Sequence, residues 1–421
     1  MTEVPMNSSL EIEMSRPTLL VAPLAALMLI HGAAIGATPP GETGAQEWGF
    51  RQVWITDQMM QRTFIVSVYY PAEEQGTQAP LDPSLGPYPG VAFGHGFTMT
   101  RKRYDFYGRH LATHGYVIVL LNFTDLNNAR QRSELSACLT WLEEQNSDSG
   151  SWLFGAIDDE HFAVAGHSMG GGVAVQVAGE DARVDACAPL APGTTAQEMS
   201  AVSVPVMILA GDRDQLIPID DLRASYGGAT PPSSMVTILG GNHNQFMDVS
   251  YFWEDLFDGN PTISRTEQQR LTNLYSTAHF GYYLKGVGEY RSYLHGYRGG
   301  ADPGIDRDAD SGEALDLLIE PAALEVSRGK ELQFTVTITN REAGASAPSV
   351  RTLVRFGGQT RLDPALGPFT VPLEPGETRV VSTAQSVPET APEIEMDYAV
   401  MVEEGALMIE DSFAATVVPG R

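Results

Sequence analysis

The chain has 421 residues, more than one compact domain usually holds, so its length favours two domains. Hydrophobic residues make up 43% of it, which excludes a disordered chain. Its 53 acidic residues against 26 basic ones give a formal net charge of -27, and such a surface repels phosphate backbones. We therefore exclude nucleic acid as a partner.

Residues 1–37 have the features of a signal peptide. An apolar run over residues 19–30 follows Arg16, and small residues suited to cleavage lie at positions 33–37. The run is short for a membrane span but has the length of a signal-peptide core. We predict a secreted, extracellular protein (or a periplasmic one) whose mature chain begins near Thr38 and has no integral membrane span. The alternative interpretation of the same run is an uncleaved membrane anchor.

Residues 38–300 alternate short β-rich runs with helical stretches. The apolar runs are continuous rather than alternating, which indicates strands buried on both faces. This pattern predicts an α/β domain with a mostly parallel, doubly wound sheet. Strands are predicted at 63–70, 90–93, 116–121, 162–165, 206–210 and 235–239, and helices at 104–114, 133–144 and 169–178.

The periodicity changes beyond residue 300. Residues 301–312 are rich in Gly and Asp and are predicted to be an acidic linker; a calcium site at Asp306, Asp308 and Asp310 is the alternative. Residues 313–421 alternate apolar and polar positions in about seven short runs separated by turn signals. This pattern is typical of an immunoglobulin-like, all-β sandwich domain.

The two cysteines, Cys138 and Cys187, are too few for a disulfide framework or a cysteine-based zinc cluster. Two interpretations remain open for them. They form one bridge in an exported protein, or they are two buried thiols, one on a helix and one on a strand.

The motif that carries chemistry is Gly166-His167-Ser168-Met169-Gly170-Gly171. It fits G-x-S-x-G, with a strand predicted before it and a helix after it, as in the nucleophile elbow of the α/β-hydrolase fold. Such an elbow is a tight turn that lifts the serine hydroxyl above the sheet. The helix N-terminus then places the Met169 N–H where an oxyanion would develop.

A nucleophilic serine needs a base, and the base needs an acid to orient it. In this fold the acid and the base follow the serine in that order, from loops at the carboxyl ends of later strands. His243, in the loop after residues 235–239, is the predicted base. Asp212 and Asp214, after residues 206–210, compete as the acid. We favour Asp214, which is further out on the loop, and expect Asp212 to cap the loop.

The second oxyanion donor is expected in the Gly-rich turn after residues 90–93. Phe97 is the predicted donor, through its backbone N–H, and its ring would line the acyl site. His95 and His167 lie beside these groups, and we expect both to be structural.

Residues 245–258 follow the predicted base and contain five aromatic side chains. We call them the aromatic segment. They are interpreted as a lid or an apolar substrate shelf, with an amphipathic helix packed on the domain as the alternative.

These motifs resemble the polyesterase–lipase–cutinase family of bacterial α/β-hydrolases, which includes cutinases and PET hydrolases. Esterases similar to platelet-activating-factor acetylhydrolase are nearly as close. The resemblance covers residues 63–297 and rests on seven short motifs: Tyr69-Tyr70-Pro71-Ala72, Gly96-Phe97-Thr98, Leu111-Ala112-Thr113-His114-Gly115-Tyr116, Asn122-Phe123-Thr124, the Ser168 elbow, Gly211-Asp212-Arg213-Asp214 with Ile217-Pro218, and Gly241-Asn242-His243.

The resemblance implies an exported enzyme with no cofactor and no metal. It implies Asp214 as the acid, the Phe97 and Met169 N–H groups as the oxyanion hole, and Ile217 beside them in substrate binding. The sequence departs from the polyester-degrading members at residues 189–194, where an aromatic residue is expected and none occurs. The C-terminal sandwich is not part of the core family.

The leading hypothesis is a monomeric serine carboxylic-ester hydrolase acting through an acyl-enzyme on a small-molecule or polymeric ester, including polyesters such as PET. Alternatives on the same fold are a lipid esterase similar to platelet-activating-factor acetylhydrolase, and a serine peptidase. An alternative from another class is a binding protein in which the C-terminal sandwich binds the ligand and the hydrolase domain is vestigial.

Overall fold

A computed structural model describes residues 37–357 and 359–420. The predicted signal peptide lies outside the described residues, except for Ala37. Within the part that is described, no helix combines the length and the apolar character needed to cross a membrane.

The first part of the chain forms one ten-stranded sheet in the order β10-β9-β8-β7-β6-β4-β5-β2-β1-β3. The six strands from β9 to β5 are parallel to their neighbours, whereas β2 and β10 join at either side as antiparallel strands. Its strands are β1 Glu47–Asp57, β2 Arg62–Ala72, β3 Gly76–Thr77, β4 Tyr88–Gly94, β5 Val117–Leu121, β6 Ile157–His167, β7 Val184–Leu190, β8 Val206–Gly211, β9 Ser233–Ile238 and β10 Ile305–Asp310.

Helices cover both faces of this sheet, so its central strands are buried throughout. On one face α2 and α3 pack on the sheet, and on the other face α1 and α7 do. This is the α/β-hydrolase fold that the alternation of apolar runs predicts. The helices are α1 Asp105–Thr113, α2 Asn128–Ser147, α3 Met169–Glu180, α4 Ala196–Met199, α5 Ile219–Tyr226, α6 Phe252–Asp255, α7 Arg265–Lys285, α8 Arg291–Leu294 and α9 Tyr297–Gly300, with short 3-10 turns at Arg101–Tyr104, Asn244–Phe246 and Gly288–Tyr290.

The linker predicted over residues 301–312 is wrong for its central part. Ile305–Asp310 form β10, which pairs antiparallel with β9 over six residues from Ile305 opposite Ile238 to Asp310 opposite Ser233. Ile305 is buried against the sheet, while the three aspartates alternate along one face of this edge strand. Asp310 bonds Arg341 at 2.8 Å. The Gly- and Asp-rich segment therefore contains an acidic edge strand.

The C-terminal residues form the predicted β-sandwich, with eight strands rather than seven. A three-stranded sheet, β11-β13-β16, faces a five-stranded sheet, β12-β18-β17-β14-β15, across one apolar core. The strands are β11 Leu315–Pro321, β12 Glu325–Ser327, β13 Glu331–Asn340, β14 Ser349–Phe356, β15 Gln359–Thr370, β16 Thr378–Ser386, β17 Glu395–Glu404 and β18 Leu407–Val418.

The sandwich packs on the α/β part through buried polar contacts. Asp411 on β18 is fully buried and accepts hydrogen bonds from the Ser292 hydroxyl at 2.6 Å, the Tyr297 N–H at 3.0 Å and the Ile319 N–H at 2.9 Å. Ser292 and Tyr297 belong to the α/β part. Removing a buried acceptor leaves its donors without partners, which is costly. Asp411 therefore joins the two parts of the chain firmly.

Cys138 lies on α2 and Cys187 on β7, and both are buried free thiols. Burial raises the pKa of each. The structure therefore favours two structural thiols over a bridge.

Candidate active site

Ser168 occupies the turn between β6 and α3. Its backbone lies at φ 55° and ψ -118°, a strained conformation for a residue with a side chain. A Cβ on Gly166 would lie 2.4 Å from the Gly170 carbonyl oxygen, and one on Gly170 would lie 2.3 Å from the Gly94 carbonyl oxygen. Only glycine fits at these two positions, because the elbow presses its own backbone and the neighbouring loop together.

The loop after β4 lies against this elbow. The Gly96 N–H donates to the Tyr104 hydroxyl at 3.1 Å, and that hydroxyl is 2.9 Å from Nδ1 of His167. A fully buried Tyr104 thus links the loop that carries Phe97 to the residue before Ser168. The Phe97 side chain is 54% exposed, as expected of a wall open to a ligand. Met169 begins α3, so its N–H is one of the unpaired donors at a helix N-terminus.

Asp214 and His243 form a buried pair at the ends of β8 and β9. His243 Nδ1 lies 2.7 Å from Asp214 Oδ2, and the aspartate side chain is fully enclosed. The other oxygen, Oδ1, accepts the N–H groups of Leu216 and Ile217, each at 2.8 Å. With Oδ1 engaged, Oδ2 is left to accept from Nδ1–H. This hydrogen bond keeps the Nε2 lone pair free, as a general base requires.

Asp212 does not face His243. Its Oδ1 accepts the Gly240 N–H at 2.6 Å, which ties the acid loop to the turn that precedes the base. Its side chain is partly exposed. Asp212 therefore bonds the backbone of the turn before the base, whereas Asp214 bonds His243, and their roles in catalysis stay a prediction.

The two other histidines near the site are held within the fold. His95 Nδ1 pairs with the Gly96 carbonyl oxygen at 2.7 Å, and its Nε2 accepts the Phe123 N–H at 3.1 Å. Burial lowers the pKa of His95. The His167 ring lies 4.4 Å from the His243 ring, and burial together with that neighbour holds the pKa of His167 well below its usual range. Both rings are therefore buried and held by contacts within the fold.

Ile217 lies beside the elbow. A Cβ on Gly193 would be 3.9 Å from Ile217 Cδ1 and also 3.9 Å from the Ser168 carbonyl oxygen. Ile217 is half-buried, and the neighbouring Leu216 is 46% exposed. Apolar side chains therefore border the serine on the side of the acid loop, as Phe97 does on the other loop.

The aromatic segment is largely exposed rather than packed as an amphipathic helix. Its only α-helix is the four-residue α6, and none of these four residues is buried. The segment is nevertheless anchored. One guanidinium nitrogen of Arg103, Nη1, contacts both carboxylate oxygens of Glu254, at 2.9 and 2.8 Å. Arg265 donates to the carbonyl oxygens of Asn244 and Met247 at 2.6 Å. The exposed apolar side chains are Val249, Tyr251, Phe252, Trp253, Leu256 and Phe257.

No three His, Cys, Asp or Glu side chains in residues 37–357 and 359–420 converge in a way that could hold a metal ion.

The fold and the order of these elements define the class of protein. An elbow serine after a parallel strand, with an Asp and a His from the ends of two later strands, is the arrangement of an α/β-hydrolase.

Comparison with known proteins narrows the class. Residues 66–234 match the family model described as PETase: PET hydrolase-like. Cutinase 1 of Thermobifida cellulosilytica is 30% identical over 169 residues, which are 40% of this chain and 59% of that protein. A cutinase of Thermobifida fusca is also 30% identical over 169 residues, 52% of its length. A bis(hydroxyethyl) terephthalate hydrolase of Streptomyces coelicolor is 28% identical over 157 residues, covering 37% of this chain and 49% of that protein.

The matched α/β segment is therefore similar to the polyesterase–cutinase family, which the motifs also resemble. The chain spans only about half to three fifths of the length of these relatives. The family match includes Phe97, Ser168 and Asp214 and ends before His243, the aromatic segment and the sandwich.

Proposed function

We propose that the chain is a serine carboxylic-ester hydrolase with Ser168 as nucleophile, His243 as general base and Asp214 as the acid that orients it. The observation that carries this proposal is the buried 2.7 Å contact between His243 and Asp214, on loops that emerge at the same edge of the sheet as the Ser168 elbow. Nucleophile, base and orienting acid are then available in one place.

In the acylation step, Ser168 Oγ attacks the ester carbonyl carbon and its proton passes to His243 Nε2. Asp214 stabilises the imidazolium that forms, and the carbonyl oxygen becomes an oxyanion facing the Phe97 and Met169 N–H groups. When the intermediate collapses, the bond to the leaving oxygen breaks. His243 returns the proton to that oxygen, so the alcohol departs and the acyl group remains on Ser168.

Deacylation repeats these steps with water. His243 takes a proton from the water as its oxygen attacks the acyl carbon. Breakdown of the second tetrahedral intermediate expels Ser168 Oγ, which recovers the proton from His243. The products are a carboxylic acid and an alcohol, and no cofactor takes part.

The substrates that suit this site are esters with an apolar acyl part. Phe97 and Leu216 expose apolar surface on opposite sides of the elbow, and Ile217 lies close to Ser168. Polyesters and terephthalate esters belong to the proposal because relatives are named cutinases and a bis(hydroxyethyl) terephthalate hydrolase. The turn after β7, residues 191–194, offers no aromatic ring to stack on a terephthalate group. We therefore place small and aliphatic esters ahead of aromatic polyesters. We further propose that the chain acts outside the cell as a monomer.

The test is a panel of p-nitrophenyl esters from acetate to palmitate with matched p-nitroanilides, each measured with the wild type and with Ser168→Ala. We expect ester hydrolysis that the variant loses, and anilide hydrolysis at least a hundredfold slower. Comparable anilide rates would establish a peptidase instead. Equal activity of wild type and variant on the esters would overturn the assignment of Ser168. Films of aliphatic and aromatic polyester would then rank the polymer substrates.

A further inference from the structure

Asp258 is a buried carboxylate to which the proposed chemistry gives no step. It ends the aromatic segment, and only 6% of the residue is exposed. Burial and the nearby charge of Asp214 raise its pKa, while backbone N–H donors oppose that rise. A buried carboxylate is costly unless donors surround it, so its donors indicate its role.

Two of these donors come from the loops that carry the acid and the base. Asp258 Oδ1 accepts the N–H of Gln215 at 3.3 Å, and Oδ2 accepts the N–H of Asn244 at 2.8 Å. Gln215 directly follows Asp214 in the chain, and Asn244 directly follows His243. One side chain thus bridges the two loops, one residue beyond each member of the pair.

The chain around Asp258 is packed tightly on both loops. A Cβ on Gly259 would lie 1.8 Å from the Arg213 carbonyl oxygen, so the backbone there presses on the acid loop. The Gly259 carbonyl oxygen accepts from Asn242 Nδ2 at 2.8 Å, which holds the base loop on the same side. Gly259 N–H in turn donates to Asp258 Oδ1 at 2.8 Å. The carboxylate therefore has little room to move away from either loop.

We propose that Asp258 is a positioning residue that holds the Asp214 and His243 loops at the separation their hydrogen bond requires. It acts through backbone N–H groups and not on the substrate. Its loss leaves the N–H groups of Gln215 and Asn244 without this acceptor, so both loops relax and the imidazole moves away from Asp214. Because catalysis is the readout, the inference rests on the proposed function.

The experiment compares Asp258→Ala and Asp258→Asn with Asp255→Ala and Asp255→Asn as matched controls. Asp255 belongs to the same segment but is exposed and bonds the side chains of Asn244 and Ser250. Steady-state kcat and KM are measured on the best soluble p-nitrophenyl ester, at a temperature where circular dichroism shows each variant folded. The rate at which a fluorophosphonate labels Ser168 is measured in parallel. This rate reports the reactivity of the Ser168 hydroxyl and does not depend on which ester is the substrate.

We expect Asp258→Ala to lower kcat and the labelling rate at least tenfold, with KM changed by less than about threefold. Asp258→Asn keeps one acceptor oxygen for Asn244 but loses the acceptor for Gln215, so we expect it to recover only part of the loss and to stay at least threefold below the wild type. Both Asp255 variants are expected to stay within twofold of the wild type. If Asp258→Ala does not fold, Asp258→Asn decides: a loss larger than in Asp255→Asn supports the inference, and equal rates overturn it.

Folded Asp258→Ala with wild-type kcat and labelling rate would overturn the inference while leaving the proposed function intact. A wild type that is labelled at Ser168 but hydrolyses no ester would overturn the proposed function, and the labelling rates would still test Asp258.

Discussion

Asp214→Asn is the substitution whose consequence follows most directly from the contacts. Leu216 and Ile217 direct their N–H groups at Oδ1, so the amide oxygen of an asparagine must take that place. The amide nitrogen then faces His243 Nδ1 and donates to it. This reverses the imidazole tautomer and puts a proton on Nε2, where the lone pair is needed. We expect kcat to fall about 10⁴-fold, or about 5.4 kcal/mol in activation free energy, with KM little changed.

The matched control is Asp212→Asn, which keeps an acceptor oxygen for the Gly240 N–H and does not face the base. We expect it to retain at least a third of wild-type kcat. Both variants are assayed by initial rates on a p-nitrophenyl ester between pH 6 and 9, with folding checked by circular dichroism. If Asp214→Asn kept more than a tenth of wild-type kcat, or if Asp212→Asn lost as much, the assignment of the acid would be refuted.

Three further substitutions test other parts of the structure. Tyr104→Phe leaves the Gly96 N–H and His167 Nδ1 without their shared hydroxyl, so we expect kcat to fall about tenfold and the unfolding free energy by about 1–3 kcal/mol. An unchanged kcat would show that the hydroxyl does not position the loop that carries Phe97. Burial lowers the pKa of His279 to about 3, against 6.5 in an unfolded chain. Below pH 6.5 the unfolded chain therefore binds a proton that the folded protein does not, so the free energy of unfolding falls as the pH falls from 6.5 towards 3. Urea unfolding of His279→Gln between pH 4 and 7 should therefore depend less steeply on pH than that of the wild type, and equal slopes would contradict this account. Asp411→Ala removes the acceptor from buried donors on both parts of the chain. We expect the free energy of unfolding, measured in urea, to fall by roughly 3 kcal/mol while kcat per folded molecule stays unchanged. A fall of less than about 1 kcal/mol would mean that other contacts hold the sandwich on the α/β part.

The position of the candidate site in the fold could be predicted from the sequence because its residues follow local rules. Ser168 lies in a turn that needs glycine at positions 166 and 170, and the motif at residues 166–171 shows both glycines within six consecutive residues. Asp214 and His243 come directly after apolar runs that can only be buried parallel strands, whose carboxyl ends meet at one edge of a sheet.

The parts that could not be predicted depend on tertiary contacts. The 21-residue helix α7 buries the polar residues Gln268, Thr272 and Ser276 as well as apolar ones such as Leu271 and Tyr275, so hydrophobicity alone does not identify its inward-facing residues. Gln268 is fully buried and exchanges two hydrogen bonds with the backbone of Asn242, at 2.9 and 2.7 Å, beside the predicted base. No local pattern marks such a residue.

The acidic strand β10 and Asp258 were missed for the same reason. The composition of β10 is that of a loop, and it becomes a strand because the edge of β9 offers hydrogen-bonding partners over six residues. Asp258 follows a run of exposed aromatic residues, and its position between the two loops is visible only from its contacts with the backbone of Gln215 and Asn244, which lie 43 and 14 residues before it.

The proposed function depends on Ser168 being the nucleophile, and covalent trapping can show whether it is. The purified chain is treated with a fluorophosphonate while ester hydrolysis is followed, and the modified residue is located by peptide mass spectrometry. We expect one adduct per chain, on Ser168, with activity lost in proportion to labelling and no adduct in Ser168→Ala. Hydrolysis that persists after complete labelling of Ser168, or an adduct on another residue that accounts for the lost activity, would show that Ser168 is not the nucleophile.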